Sequence, residues 1–454
     1  MRRKKPSSDD PSAVGLPGAS AVAEKELRKA GIDPDRLPIL HLGRPAHLLH
    51  YPFPPWMRRI AIGFFIWFVV YGLRQSAIEL PDWLWAGLSL ATGLTILQGA
   101  CEALISATER MAQRLRWNHY TAGTVMEILS TLPELVVIAF IVPVSPLTAF
   151  VLALITIYNN ALVFSLYSFF LPKNQQGRFL MPNPITEAGT KILIAGAAIG
   201  LVLGLVMLGL TTHTNPKTGL QAIDLYILCL MLFVIFAVYL YKLLKHYASE
   251  EEEVRETLDM NEQDIEKRIE LVYQNVKHSP FTVILGLFCV GVFGAVVGGE
   301  SVAHFAEVAL DDLGLNNVLT ALILAIFAGM SEYVILWKSH RKKEYGIALA
   351  NAFGGITQVM FLVLPFTLLM IGINQEGLTD MAAVELPIQF TLSNILLLIF
   401  LFPTLFLLAW LIKDDHTLDI LDATIMSVIF VLLILLLVTY GANGAALQLN
   451  GAVH

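Results

Sequence analysis

Eleven runs of about twenty apolar residues, almost free of charge inside, constrain this chain more than any other feature. An α-helix needs roughly 20 apolar residues to cross about 30 Å of hydrocarbon. Runs closed by Pro, Gly or charge place spans near residues 58–77, 82–112, 119–141, 146–171, 186–211, 222–245, 281–309, 316–338, 345–372, 387–411 and 420–442. They are too long for the strands of a membrane barrel, so the expected class is an all-α integral membrane protein in a lipid bilayer. Charged residues make up 15% of the 454 and apolar residues 56%, with a net charge of −7, where soluble domains carry about 25% charge. This balance excludes nucleic-acid binding and makes a soluble enzyme remote. Cys101, Cys229 and Cys289 lie in apolar runs with no metal or disulfide spacing, and read as small core residues.

Residues 1–56 begin Arg2-Arg3-Lys4-Lys5 but contain no apolar core of a signal peptide. They are expected to form a cytoplasmic tail with a short amphipathic helix near residues 21–31. Placing the N-terminus inside puts Arg110, Arg114, Arg116, Lys173, Arg178, Lys242, Lys245, Lys338, Arg341, Lys342, Lys343 and Lys413 on the inner side, and leaves Lys217 outside with Arg74 ending the first span. That asymmetry sets the orientation. The chain then divides into an extra first span and first half (57–245), an acidic cytoplasmic linker (246–280) and a second half (281–444). The linker, from Glu250-Glu251-Glu252-Glu253 onward, has apolar residues at helical spacing. It reads as a solvated surface helix, with ion sensing as the alternative.

The two halves repeat. Glu102, Glu109 and Glu134 stand 198 residues before Glu300, Glu307 and Glu332, and the two copies begin on spans of opposite direction. Two inverted five-helix repeats plus one extra N-terminal helix is a transporter architecture, with the substrate site near the midplane. Glu134 and Glu332 lie deep in their spans, where each carboxylate costs on the order of 3 kcal/mol on insertion scales. Pro133 lacks an N–H and breaks the helix before Glu134, while Gly329 and Ser331 precede Glu332. Carboxylates plus freed carbonyls suit a hard cation such as Ca2+. A single Pro-Glu can also be a packing kink, but two symmetric copies argue for a site. Thr131 and Ser331, at the breaks, are further candidate metal ligands. Asn159, Asn160, Asn351, Thr357 and Gln358 sit at depth in the following spans, with Asn160 and Gln358 the leading further ligands or helix glue.

Glu102 and Glu109, like Glu300 and Glu307, are seven apart and share a helix face, so each pair either lines an ion route or is merely solvated. His304 shares the face of Glu300 and Glu307 and is either a proton relay or structural. Glu127 shares the face of Glu134, yet its counterpart is Ala325. That asymmetry marks it as a candidate extra proton or ion site.

The segments STLPELVVIAF, ALITIYNNALVFSLYSFF and AGMSEYVILWKSHRKKEYGIALANAFGGITQVMFLVLP resemble the two alpha repeats of the Ca2+:cation antiporter superfamily. Within it the chain is most similar to the cation/proton exchanger branch, whose second repeat carries Gly-Ser-Ala-Thr-Gln with Pro seven residues on. Gly354-Gly355-Ile356-Thr357-Gln358 and Pro365 stand in that place. The branch's Gly-Asn-x-x-Glu appears as Ser130-Thr131-Leu132-Pro133-Glu134 and Ala328-Gly329-Met330-Ser331-Glu332, without either Asn. Sodium/calcium exchangers have a second Asn where this chain has Ile356.

The resemblance implies a secondary antiporter with no bound cofactor, exchanging a divalent cation, foremost Ca2+, for H+ by alternating access. Exchange of Ca2+ for Na+ is the alternative; a channel and a membrane-embedded enzyme using Glu134 and Glu332 as acid and base rank lower. No HExxH or nucleophile/His arrangement supports an enzyme. Short loops point to a prokaryotic plasma membrane, with an organellar (vacuolar) membrane as the alternative.

Overall fold

The computed structural model describes residues 55–76, 81–115, 119–174, 176–211, 220–247, 280–342, 345–376 and 392–451. The N-terminal tail expectation and most of the acidic linker fall outside these residues. The helices are α1 (Pro55–Gln75), α2 (Asp82–Leu115), α3 (His119–Ser130), α4 (Leu132–Val144), α5 (Pro146–Tyr167), α6 (Thr190–Thr211) and α7 (Ala222–Tyr247) in the first half. The second half holds α8 (Phe281–Asp311), α9 (Asn317–Ala328), α10 (Met330–Lys342), α11 (Tyr345–Gln358), α12 (Leu364–Gln375), α13 (Leu392–Asp414) and α14 (Ile420–Gly451). Among the described residues ten segments are long and apolar enough to cross a membrane, and Ile420–Leu436 is a shorter apolar helix. This is an all-α, multi-pass membrane protein.

The 198-residue offset that relates the glutamates also relates the elements. Helices α3 and α4 begin and end 198 residues before α9 and α10, and α7 begins 198 residues before α14. Packing follows the same symmetry: α2 lies along its counterpart α8 and α6 along α13, while α3 packs on α11 as α9 packs on α5. The spans expected at 119–141 and 316–338 are each broken, at Thr131 and at Gly329. Pro133 starts α4 because its missing N–H is harmless in a first turn. Gly329 closes α9 with its N–H on the Ala325 carbonyl at 3.2 Å. The ninth span carries a π-helical turn, Val359–Val363, just after Gln358, the kind of insertion that often marks functional positions.

Helices meet through small residues, as expected where lipid offers no hydrophobic gradient. A Cβ on Gly93 would lie 2.8 Å from the Gly298 carbonyl, one on Gly298 would lie 3.0 Å from the Gly93 carbonyl, and Gly294 faces Ala100 at 3.0 Å. As the α2 number rises the α8 number falls, so the two run antiparallel. Helix α1 lies outside the repeats, bedded on α2 through Gly63 and Gly99. Its outer face, including Phe65 and Phe68, is exposed to the lipid side. At the centre α5 is almost wholly buried: Phe150, Leu154, Tyr158 and Phe164 are enclosed, and the Tyr158 hydroxyl donates to the Leu397 carbonyl at 2.5 Å. Two-residue strands β1 (Phe179–Leu180) and β2 (Thr417–Leu418) pair antiparallel beside the Arg178–Asp415 ion pair, joining a loop of each half.

The α2–α8 crossing generates a prediction. Gly298→Leu should destabilise the detergent-purified protein by about 1–3 kcal/mol through overpacking, read as a lower melting temperature. Gly286→Leu, whose Cβ meets nothing within 4 Å, should leave it unchanged.

Candidate functional site

Both helix breaks and the central spans converge on three buried carboxylates. Glu127 lies one turn before the end of α3 and is fully buried; Glu134 sits in the first turn of α4 and Glu332 in the first turn of α10, each 4% exposed. Among the described residues none of the three has an ion-pair partner, and neither oxygen of Glu127 or Glu134 meets a hydrogen-bond donor. Buried carboxylates left so are costly and point to a ligand of opposite charge.

The break at Thr131 shapes the surroundings. The backbone stays near-helical there, and the Glu127 carbonyl accepts from Thr131 N at 3.0 Å, Ser130 Oγ at 2.8 Å and Thr131 Oγ1 at 2.8 Å. Thr131 Oγ1 also donates to Gln358 Oε1 at 3.2 Å, and Gln358 Nε2 donates to the Thr124 carbonyl at 3.3 Å. From the other side Asn160 Nδ2 donates to Glu332 Oε1 at 2.9 Å, leaving Asn160 Oδ1 without a partner. Asn160 and Gln358 are themselves 198 residues apart, so each half lends one central carboxamide to the broken helix of the other. Asn351 Nδ2 donates to the Glu332 carbonyl at 3.1 Å, tying α11 to the second break.

Glu127 Oε1 and Glu332 Oε1 meet beside Gly355, 3.1 and 3.2 Å from where its Cβ would stand. Two ionised groups make such a contact only with a proton or cation between them. Glu134 instead borders a small cavity of about 20 Å³ shared with Gln98, Cys101, Pro133, Phe327 and Ala328, space for about one water. Among the described residues no three acidic, His or Cys side chains already surround one point as metal ligands. The side chain of Ser331 lies outside the described residues.

The structure places the other candidates away from this centre. Glu102 is 3% exposed and held by Arg59 of α1 and by Lys338 of α10, the latter at 2.8 Å. Rather than lining an open route, it clamps the helix of Glu332 to α2 and α1. Glu109 is half-buried two turns further along α2. Glu300, His304 and Glu307 line a cavity of about 290 Å³ with Trp67, Tyr71, Ser89 and Phe140, and His304 Nδ1 lies 3.1 Å from Glu307 Oε2. Because α2 and α8 run antiparallel, Glu102 and Glu300 fall toward opposite ends of that pair. The position equivalent to Lys338 is Phe140, so one end is closed by charge and the other holds a cavity.

Two residues of the centre escape sequence reasoning. Tyr333 accepts from Asn159 Nδ2 through its hydroxyl at 2.6 Å, beside Gly329; its only signal is adjacency to Glu332. Gly355 stands among the carboxylates. A Cβ there would be 2.8 Å from Asn160 Nδ2, 3.1 Å from Glu127 Oε1 and 3.2 Å from Glu332 Oε1.

Residues 283–439 match the family model of the sodium/calcium exchanger protein. That segment, about a third of the chain, contains the second of the two repeats whose motifs resemble the Ca2+:cation antiporter superfamily. Among solved structures, the H+/Ca2+ exchanger CAX is similar at 13% identity over 84% of this chain and 89% of that one, with a TM-score of 0.53. The sodium-calcium exchanger NCX_Mj, in crystals soaked with Na+ and Sr2+, is similar at 15% identity over 77% of this chain and 98% of that one, with a TM-score of 0.48. The first of these is a likeness of fold. No curated protein matches the chain by sequence.

The Glu102 clamp is testable by thermal unfolding in detergent. Glu102→Gln should cost about 1–2 kcal/mol, less than a fully enclosed pair because Arg59 and Lys338 are 38% and 44% exposed and can turn to solvent. Lys338→Met, which leaves Arg59 in place, should cost less.

Proposed function

We propose that this chain, whose residues 283–439 match a sodium/calcium exchanger family model, is a secondary antiporter that exchanges a divalent cation, foremost Ca2+, for H+ by alternating access. The observation that carries this reading is the set of three enclosed carboxylates, Glu127, Glu134 and Glu332, with no cationic partner among the described residues. They lie where two inverted halves meet, and oxygen-rich sites of this kind take hard divalent cations. Buried charge needing neutralisation, rather than an acid–base pair about a bound substrate, favours transport over catalysis.

The coupling argument is one of charge. When the divalent cation leaves, bare carboxylates in a low-dielectric core cost several kcal/mol each, and the carrier cannot reorient until they are neutralised. Protons do this without added ligands, and the third carboxylate admits a third proton, which makes exchange for one Ca2+ electrogenic. Sodium needs further oxygens, and the buried Ile356 supplies none from its side chain. The match of residues 283–439 to a sodium/calcium exchanger model favours Na+ as the second reading.

In proteoliposomes, Ca2+ uptake is expected to follow an imposed pH gradient without Na+; uptake that ignores pH and follows a Na+ gradient would replace H+ by Na+. Glu134→Gln and Glu332→Gln should each nearly abolish uptake while leaving folded protein, and full activity of either variant would remove that residue from the site.

A further inference from the structure

The two halves correspond in backbone, and among the positions where they differ one facing set lies at the central helices. In the second half, Gly354 and Gly355 of α11 face Glu127 of α3. In the first half, the equivalent pair of helices is α5 and α9, and there the corresponding residues are Thr156, Ile157 and Ala325. A large side chain on the central helix with a small one opposite has become a glycine with a glutamate opposite. The exchange removes side-chain volume and introduces a carboxylate. Ile157 and Ala325 are both fully buried, so that version of the contact is closed and apolar.

The Glu127 version instead gathers polar atoms where Gly355 has no side chain. The point where a side chain would begin on Gly355 has Glu127 Oε1, Glu332 Oε1 and the Asn160 carboxamide within 2.8–3.2 Å. Both Glu127 oxygens and Asn160 Oδ1 are buried and unsatisfied. A turn of the Asn160 amide would bring Oδ1 to where Nδ2 now points, and a cation held by these three oxygens at the roughly 2.3–2.6 Å that Ca2+ requires would sit beyond that point, clear of the Gly355 Cα. Glu134 lines a small cavity of its own, and the three atoms nearest the Gly355 position belong to Glu127, Glu332 and Asn160.

We infer that the divalent cation is seated off the pseudo-twofold axis, between Glu127 and Glu332 in the space left by Gly355, with Asn160 Oδ1 as the third protein ligand. Glu127 is thereby a direct cation ligand, and Gly355 is the residue that admits the ion. Glu134 supplies charge from the far side of the centre. This inference rests on the antiporter reading but adds to it a seat that the pair Glu134 and Glu332 alone does not define.

The test is calorimetric titration of Ca2+ into the full-length, detergent-purified protein. Glu127→Gln, which preserves shape, should weaken Ca2+ binding about tenfold or more, as loss of a charged ligand does, with its melting temperature kept. The double variant Glu127→Ala with Gly355→Ile installs the packing of the first half and should fold yet bind Ca2+ still more weakly. A measurement without variants accompanies these: saturating Ca2+ should protect Glu127 from carbodiimide labelling read by mass spectrometry. Wild-type affinity in both variants, or labelling of Glu127 undiminished by Ca2+, would overturn the off-axis seat and leave the antiporter reading standing. Absence of any Ca2+ binding by the unmutated protein would overturn the divalent reading and this seat together.

Discussion

The rest of the structure depends on burying three carboxylates, Glu127, Glu134 and Glu332, that no cationic side chain among the described residues pairs with. Each intramembrane carboxylate costs on the order of 3 kcal/mol even on lenient scales, so a fold that encloses Glu127, Glu134 and Glu332 must offset that cost elsewhere. It does so with backbone geometry and amide groups. The helices break beside the carboxylates, at Thr131 and Gly329, and Asn160, Gln358 and Asn351 cross from the central spans to hold the broken ends. The residual deficit is the orphaned oxygens of Glu127 and Glu134, which the proposed function fills with the transported cation.

Symmetry makes this economical and asymmetry makes it directional. Equivalent elements start at equivalent positions, so the same packing is built twice, with α2 on α8 and α6 on α13 at the axis. Against that background the departures carry meaning. Glu102 is clamped by Lys338 and Arg59 at one end, whereas Glu300, with Phe140 in place of a lysine, lines a cavity toward the other. Helix α1, which has no counterpart among the described residues, contributes to both: Arg59 to the clamp, and Trp67 and Tyr71 to the cavity. A helix added outside the repeats thus touches each end of the bundle.

Most of the fold was legible in the sequence because its cause is local. Twenty apolar residues span a bilayer whatever surrounds them, and three glutamates repeating at one offset expose a duplicated architecture without any contact being known. Pro133 announced a break, since a residue lacking an N–H cannot sit inside an undisturbed helix. Glu134 and Glu332 stood out because a charge at that depth needs a reason. These features belong to single segments, and the sequence by itself determined them.

What surrounds each charge was decided only by tertiary structure. Glu102 and Glu300 look equivalent along the chain, yet one is paired and the other borders a cavity, because Lys338 and Arg59 are 236 and 43 residues from Glu102 and reach it only through packing. Glu127 looked like an accessory to Glu134, two turns away on the same face. The bend at Thr131 and the closeness of α11 set its carboxylate against Glu332 instead, 205 residues distant. Gly355 carries no chemistry of its own and could not be singled out from sequence; its importance is the volume it leaves empty. Volume, unlike hydropathy or charge, is a property of the assembled core, so only the folded chain reveals where an ion fits.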